Sequence, residues 1–200
     1  MAKIKLTKNE LKKQKDALKM FQRYLPTLQL KKQQLQAEIR SVEQRVNELR
    51  EKKKKINESF RVWIGVFGEK QVFSSGILGI EKLLTGRGNI AGVEIPVFEG
   101  VTFQTAPYDF LEKPLWLDFA VERMKEVLAV DLEAGIMEAQ QNLLEKELRT
   151  TSQRVNLFEK VKIPEAKGNI KKIQVYLGDQ QTAAVVRGKI SKGKKERAAG

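Results

Sequence analysis

An apolar heptad repeat that runs from Ile4 to Trp63 without a slip constrains the fold of this chain more than any other feature. Its two seam positions are mostly apolar: the first carries Ile4, Leu11, Leu18, Leu25, Lys32, Ile39, Val46, Lys53 and Phe60, and the second Thr7, Gln14, Phe21, Leu28, Leu35, Val42, Leu49, Ile56 and Trp63. A lone globular helix rarely keeps a period of about 3.5 residues for so long, whereas the seam of a coiled coil requires it. We therefore predict a coiled-coil helix over residues 1–64.

Two residues within this repeat have consequences of their own. Pro26 removes a backbone donor, but the repeat is in phase on both sides of it, so we expect the helix to bend there and not to end. Lys53 lies on the seam, where one polar residue can set the register at some cost in stability.

A second repeat follows Pro114 and is less regular. It has two parts that are offset by one residue beside Pro164: Leu144, Leu148, Thr151, Val155 and Phe158, then Ile163, Ala166, Ile170, Ile173, Leu177, Gln180 and Ala184. The pattern predicts a helix over residues 115–190 with a register shift or kink near Pro164, which frays after Gly188 into a basic tail over residues 191–200.

The middle of the chain, residues 65–114, is rich in glycine and proline. Such a composition does not build long helices and favours loops and short strands. The segment Thr85-Gly86-Arg87-Gly88-Asn89 is too short for a phosphate-binding loop and is not followed by a helical pattern. We predict a hairpin turn there.

Two long helices with apolar seams, joined by a compact middle, are expected to pair with each other as an antiparallel helical hairpin. Dimerisation through each seam is the competing arrangement. The predicted fold is all-α dominated: a long antiparallel two-helix coiled coil with a small middle region containing a short β-hairpin. The seam is predicted to consist of Leu11, Leu18, Phe21, Leu25, Leu28, Leu35, Ile39, Val42, Val46, Leu49, Ile56, Leu144, Leu148, Val155, Phe158, Ile163, Ile170, Ile173 and Leu177.

The formal charge of +13 is distributed unevenly. Residues 1–35 carry 10 basic and 2 acidic side chains (+8), and residues 148–200 carry 13 and 4 (+9). Antiparallel pairing brings these stretches together, whereas residues 115–147, with 3 basic and 8 acidic side chains (−5), belong to the other end. A strongly basic end predicts an acidic partner, either nucleic acid or an acidic protein cavity.

The composition excludes several kinds of chemistry. The chain has no cysteine and no histidine, so thiolate zinc sites and most hydrolase triads are excluded. We predict no catalytic, cofactor-binding or metal-binding residues, and hence a mechanical, scaffolding or binding role. The sequence has no run of about 18 apolar residues and no apolar core of a signal peptide at its start, which predicts a cytoplasmic protein.

Several segments, taken together, resemble one family. The chain is similar to the D subunit of the V-type (archaeal-type, or A-type) rotary ATPases and ATP synthases, in its bacterial branch. The resemblance extends from Lys3 to about Leu177, and it is carried by Lys3-Ile4-Lys5-Leu6-Thr7-Lys8-Asn9, Tyr24-Leu25-Pro26-Thr27-Leu28, Leu30-Lys31-Lys32, Asn89-Ile90-Ala91-Gly92-Val93-Glu94-Ile95-Pro96-Val97-Phe98, Pro114-Leu115-Trp116, Asp118, Gln153-Arg154-Val155-Asn156-Leu157-Phe158-Glu159, Ile163-Pro164 and Asn169-Ile170.

The resemblance implies a non-catalytic central-stalk rotor component that transmits torque between a membrane ion-translocating ring and a catalytic hexamer. Such a component would couple ATP synthesis or hydrolysis to the transport of protons or sodium ions. In that family the terminal end of the coiled coil enters the hexamer, and the middle region includes a β-hairpin. The resemblance places the hairpin at about residues 80–103, with its turn at Gly86-Arg87-Gly88-Asn89 and its second strand over Ile90–Ile95.

The implied partners are the A and B subunits of the hexamer, the F subunit and the component that couples the stalk to the membrane ring. They would hold the chain at the cytoplasmic face of the membrane, with no direct contact with lipid and no nucleic acid. We expect the basic tip to face the hexamer through Lys8, Lys12, Lys13, Lys189 and Lys192. From charge and periodicity alone, the alternative is a basic coiled-coil protein that binds nucleic acid.

Overall fold

The computed structural model describes residues 4–61, 77–107, 114 and 116–198. Its elements are helix α1 (Lys8–Arg61), strands β1 (Leu78–Ile90) and β2 (Val93–Thr105), helix α2 (Trp116–Leu157), a π-helical turn (Phe158–Lys162) and helix α3 (Ile163–Ala198). This order confirms the prediction of a mainly helical chain with a two-stranded hairpin in its middle region. The predicted boundary between residues 64 and 65 lies outside the described residues.

Helix α1 begins with a side-chain cap at Thr7. The Glu10 backbone N–H donates to Thr7 Oγ1 at 3.2 Å, and the Leu11 N–H donates to the Thr7 carbonyl at 3.0 Å. The first bond satisfies a donor that the first turn of a helix otherwise leaves free, and the second is the first regular bond of the helix. Pro26 lies inside α1 and does not end it, as predicted.

The π-helical turn explains the one-residue offset in the second repeat. The Ile163 N–H donates to the Phe158 carbonyl, five residues earlier, so this turn holds one residue more than an α-helical turn. The extra residue lets Phe158 and Ile163, which are five apart, both stay on the apolar side. Pro164 directly follows and has no N–H to donate, so the regular pattern of α-helical bonds is already interrupted beside the turn.

The C-terminal region corrects one prediction. We expected fraying after Gly188 and a tail over residues 191–200, but α3 continues to Ala198. Lysine, arginine, glutamate and alanine, which make up residues 194–198, favour helix, and Lys192 pairs with Glu196 one turn later at 3.8 Å.

The position of the hairpin turn is a second correction. Gly86-Arg87-Gly88-Asn89 lies within β1, and the chain turns at Ala91 and Gly92, between the paired residues Ile90 and Val93. Both turn residues have positive φ, 51° and 79°, as a type I′ turn requires. The Gly92 N–H donates to Asn89 Oδ1 at 3.0 Å.

Gly88 explains why the glycines of this segment wrongly predicted a turn. A Cβ atom at position 88 would lie 2.8 Å from the Val97 Cγ2 atom on the opposite strand. Glycine here allows close packing across the hairpin and does not mark a turn. The second strand is also longer than expected, since β2 runs from Val93 to Thr105.

The chain divides into two compact units. Unit 1 comprises residues 1–32 and 150–200, and unit 2 comprises residues 33–149. In the part of unit 1 that the structure describes, the buried residues are Thr151, Val155, Ala166 and Ile173. In unit 2 the largest buried cluster joins α1, α2 and β2, and it consists of Leu35, Ile39, Val42, Val46, Ile95 and Leu144.

Candidate functional site

The residues predicted for the seam lie on the inner side of the helices. Each of them, from Leu11 to Ile56 and from Leu144 to Leu177, is buried or half-buried. Whether they act as one seam through both units stays a prediction. Gln180 and Ala184, which continue the repeat in sequence, are exposed, so burial along α3 stops after Leu177.

In unit 1, α1 pairs with the stretch that contains the π-helical turn and α3. The Phe21 and Phe158 rings lie 5.2 Å apart between centroids, at an angle of 36°. Asn169 Nδ2 donates to Gln14 Oε1 at 3.4 Å. Residue numbers rise along one helix as they fall along the other, so the two helices of this unit are antiparallel.

In unit 2, α1 and α2 are antiparallel by the same criterion. Arg50 pairs with Glu138 at 2.6 Å, and Lys53 Nζ lies 2.5 Å from Asp131 Oδ1. Leu49 packs with Val130 and Ala134 beside these two ion pairs. Lys53 therefore occupies its seam position by reaching outward to a carboxylate at the edge of the helix pair.

The β-hairpin of unit 2 packs on this helix pair through a buried side chain and a partly buried hydrogen bond. Ile95 of β2 joins the apolar cluster of α1 and α2. Gln140 of α2, which is 4% exposed, donates from Nε2 to the Pro96 carbonyl at 2.6 Å. Proline has no backbone N–H to leave unpaired at this edge of β2, and Gln140 satisfies the carbonyl there.

Sequence reasoning missed Gln140 and the ion pairs Arg50–Glu138 and Lys53–Asp131. The signal for Gln140 was weak: a proline in a strand implies an edge position, but not which side chain covers it. The ion pairs depend on the alignment of two distant segments, and the heptad pattern does not specify that alignment.

The structure places the five lysines predicted for the basic tip in two groups. Lys8, Lys12 and Lys13 are exposed near the start of α1, and Lys189 and Lys192 are exposed near the end of α3. Leu6 borders a shallow groove with Val175, Tyr176 and Asp179, so the start of α1 lies beside that part of α3. Lys189 is ten residues beyond Asp179, or about 15 Å further along the helix.

The last part of α3, residues 178–198, is called here the exposed segment. Large apolar side chains on it face solvent: Val185 is 59% exposed, Val186 49% and Ile190 54%. Apolar groups on an exposed helix are typical of a surface that a partner covers.

The described residues contain neither a cluster of metal ligands nor a helix that could span a membrane. Within residues 4–61, 77–107, 114 and 116–198, no three Asp or Glu side chains converge as metal ligands would. In the same ranges, no helix combines the length and the apolar character that crossing a bilayer requires.

Comparison with known proteins agrees with the resemblance seen in the sequence. The family of ATP synthase D subunits matches residues 10–193. The chain is 54% identical to the D subunit of a V-type ATP synthase from Borreliella burgdorferi, over 96% of this chain and 95% of that protein. It is 38% identical to the V-type ATP synthase D subunit of Chlamydia trachomatis serovar L2 (96% and 95% covered) and 35% to that of Chlamydia felis (96% and 93%).

These matches cover both units and the hairpin, and they extend along nearly the full length of the relatives. They give no support to the alternative of a nucleic-acid-binding coiled coil. The chain belongs to the family of ATP synthase D subunits.

Proposed function

We propose that the chain is the axle of a V-type rotary ATP synthase, and that it transmits torque between a membrane ion-translocating ring and a hexamer of A and B subunits. Membership of the D-subunit family carries this proposal. As a non-catalytic stalk component, the chain couples ATP synthesis or hydrolysis to ion transport without touching the reacting phosphates.

The packing of each helix pair supports a mechanical role. An axle must resist bending and twisting, and in each unit the helices pack through buried and half-buried apolar residues, which on α3 extend as far as Leu177. Such an axle changes the state of surrounding active sites by presenting a different face to each of them, which shifts their conformational populations.

We further propose that the basic tip of unit 1 enters the hexamer through Lys8, Lys12, Lys13, Lys189 and Lys192. The F subunit and the component that joins the stalk to the membrane ring would bind elsewhere on the chain, which would hold it at the cytoplasmic face of the membrane. The exposed apolar residues of the exposed segment support a buried position for this end in the complex.

The test is co-expression of the chain with the A, B and F subunits of the same source, followed by native mass measurement and an ATPase assay. We expect one copy of the chain per hexamer. A chain that ends at Leu177 should still fold, because burial along α3 stops after Leu177, but it should alter ATP hydrolysis by the complex. A hexamer that never retains the full chain would contradict the proposal.

Charge at the tip can be tested in the same system. Reversing the five lysines to glutamate should weaken assembly, most strongly at low ionic strength, where charge attraction is least screened. Unchanged assembly at low salt would show that the basic tip does not guide entry.

A further inference from the structure

The two sides of the helix pair in unit 1 differ in charge. If the seam residues are given heptad positions a and d, Lys8 and Lys15 fall at e, and Lys5, Lys12 and Lys19 at b, on the same side. On α3, Lys167 falls at e and Lys171 at b. The e positions of an antiparallel pair face each other, so these residues form one surface, called here the lysine face: Lys5, Lys8, Lys12, Lys15, Lys19, Lys167 and Lys171.

The lysine face has no internal compensation for its charge. All seven lysines are exposed, and none forms an ion pair with a residue that the structure describes. No acidic residue occupies a b or e position over residues 5–19 or 163–178. The surface therefore carries seven positive charges and no negative one.

The opposite side of the same helix pair is neutral. Its c and g positions hold two acids and two bases, Glu10, Lys13, Glu165 and Lys172. Both acids already interact locally: Glu10 Oε1 accepts from Gln14 Nε2 at 2.9 Å, and Glu165 lies 3.7 Å from Lys162 Nζ. Neither of these two acids is directed at the lysine face. Asp16, the remaining acid of residues 5–19, falls at an f position on the outer surface and forms no ion pair with a residue that the structure describes.

The lysine face is also unfavourable for the free chain. Lys15 and Lys167 occupy e positions that face each other in this register, where coiled coils usually place opposite charges. Like charges at such positions destabilise the pair. A surface that repels itself in the free chain gains most from an acidic partner, because binding replaces that repulsion with attraction.

We infer that the lysine face docks against a carboxylate-rich surface on one protein subunit of the hexamer, and that it carries more of the charge contact than the neutral side. This inference rests on the proposed function and adds to it which side of the axle carries the charge contact. A protein partner fits better than a nucleic acid, because the lysine face contains no arginine and no aromatic side chain that could stack on bases.

Two variants of the full chain with equal charge test the inference. The first changes Lys8, Lys12, Lys15 and Lys167 to glutamine, and the control changes four exposed lysines outside both the lysine face and the proposed tip, Lys52, Lys54, Lys55 and Lys172, to glutamine. Each removes four positive charges, and glutamine keeps the helix propensity. Binding to the hexamer is measured from about 50 to 300 mM salt, a range over which the Debye length shortens markedly.

We expect the first variant to bind the hexamer about tenfold more weakly than the unmodified chain at low salt, with a flatter salt dependence, and the control to change by less than about threefold. The melting temperature of the first variant should equal or exceed that of the unmodified chain, since repulsion between Lys15 and Lys167 is relieved. An undiminished melting temperature separates lost docking from lost folding.

Other outcomes overturn the inference. Equal weakening by both variants would show that only total charge matters, and no weakening by either would exclude a charge contact on this side. Tighter binding of the unmodified chain to duplex DNA than to the hexamer, lost only in the first variant, would make the lysine face a nucleic-acid surface. If the unmodified chain itself fails to join the hexamer, the proposed function fails first.

Discussion

The helix pair of unit 1 and that of unit 2 share one heptad pattern but differ in the burial of α1. In unit 2, Leu35 is fully buried and Ile39 and Val42 nearly so, whereas in unit 1 Leu18 and Leu25 are only half-buried. The difference lies in what covers α1. In unit 2, β2 adds Ile95 and its neighbours as a further layer over the helices.

Unit 1 has no such layer among its described residues, and its buried residues belong to α2 and α3 and not to α1. Ala166 and Thr151 are almost completely buried. A seam pattern thus predicts which side of a helix faces inward, but the depth of burial depends on whether a further element packs over the pair.

The largest expected effect is the difference between two single-residue deletions in unit 1, one inside the π-helical turn and one in α1. Deleting Lys160 in a Pro164→Ala background converts the turn to α-helix and leaves Phe158 and Ile163 four residues apart, so the apolar side stays aligned. We expect the free energy of unfolding to stay within about 1 kcal/mol of the background, measured by urea denaturation.

The matched control deletes Arg23 of α1, also basic and exposed, in the same background. No turn with an extra residue lies in α1 to absorb that deletion, so seam residues on one side of it rotate by about 100°. We expect a loss of about 4 kcal/mol. Equal losses from both deletions would show that the π-helical turn does not align the apolar residues.

The second prediction compares leucines in the two units. Leu144→Ala, at a fully buried site of unit 2, should cost about 3 kcal/mol because it leaves a cavity that three elements cannot collapse around. Leu25→Ala in unit 1 should cost about 1 kcal/mol, since the half-buried side chain is partly hydrated before removal. Similar losses by urea denaturation would mean that the hairpin layer adds little.

The third prediction concerns the hydrogen bond between α2 and the hairpin. Gln140→Leu should cost about 2 kcal/mol, because it leaves the partly buried Pro96 carbonyl without the Gln140 donor. The control is Gln141→Leu, whose amide bonds Glu145 and Glu43 on an exposed surface and should cost less than about 0.5 kcal/mol. Hydrogen exchange of the β2 amides should rise in the first variant alone.

The smallest expected effect is the coupling between Lys53 and Asp131. Their side chains are 36% and 54% exposed, so water screens the attraction. A double-mutant cycle with Lys53→Met and Asp131→Asn should give a coupling of about 0.5 kcal/mol. A coupling above about 2 kcal/mol would mean that this pair, and not apolar packing, aligns the helices of unit 2.

The heptad pattern predicted most of the fold because the positions that face a partner helix must be apolar. The repeat identified α1 and detected a one-residue offset near Pro164, although it could not say that a π-helical turn accommodates it. Glycine was ambiguous: Gly92 serves a turn, whereas Gly88 makes room for Val97. The pairing of Gln140 with Pro96 depends on tertiary alignment, which no local pattern contains.

The exposed segment carries a thermodynamic consequence for assembly. Packing supplies most of the stability of helices in proteins, and residues 178–198 include Gly178, Gly188 and Gly193, which weaken a helix that lacks packing. When a partner binds this segment, the binding free energy is therefore reduced by the cost of keeping the segment helical. Helix propensity at these glycines then becomes a means of adjusting affinity at positions that need never touch the partner.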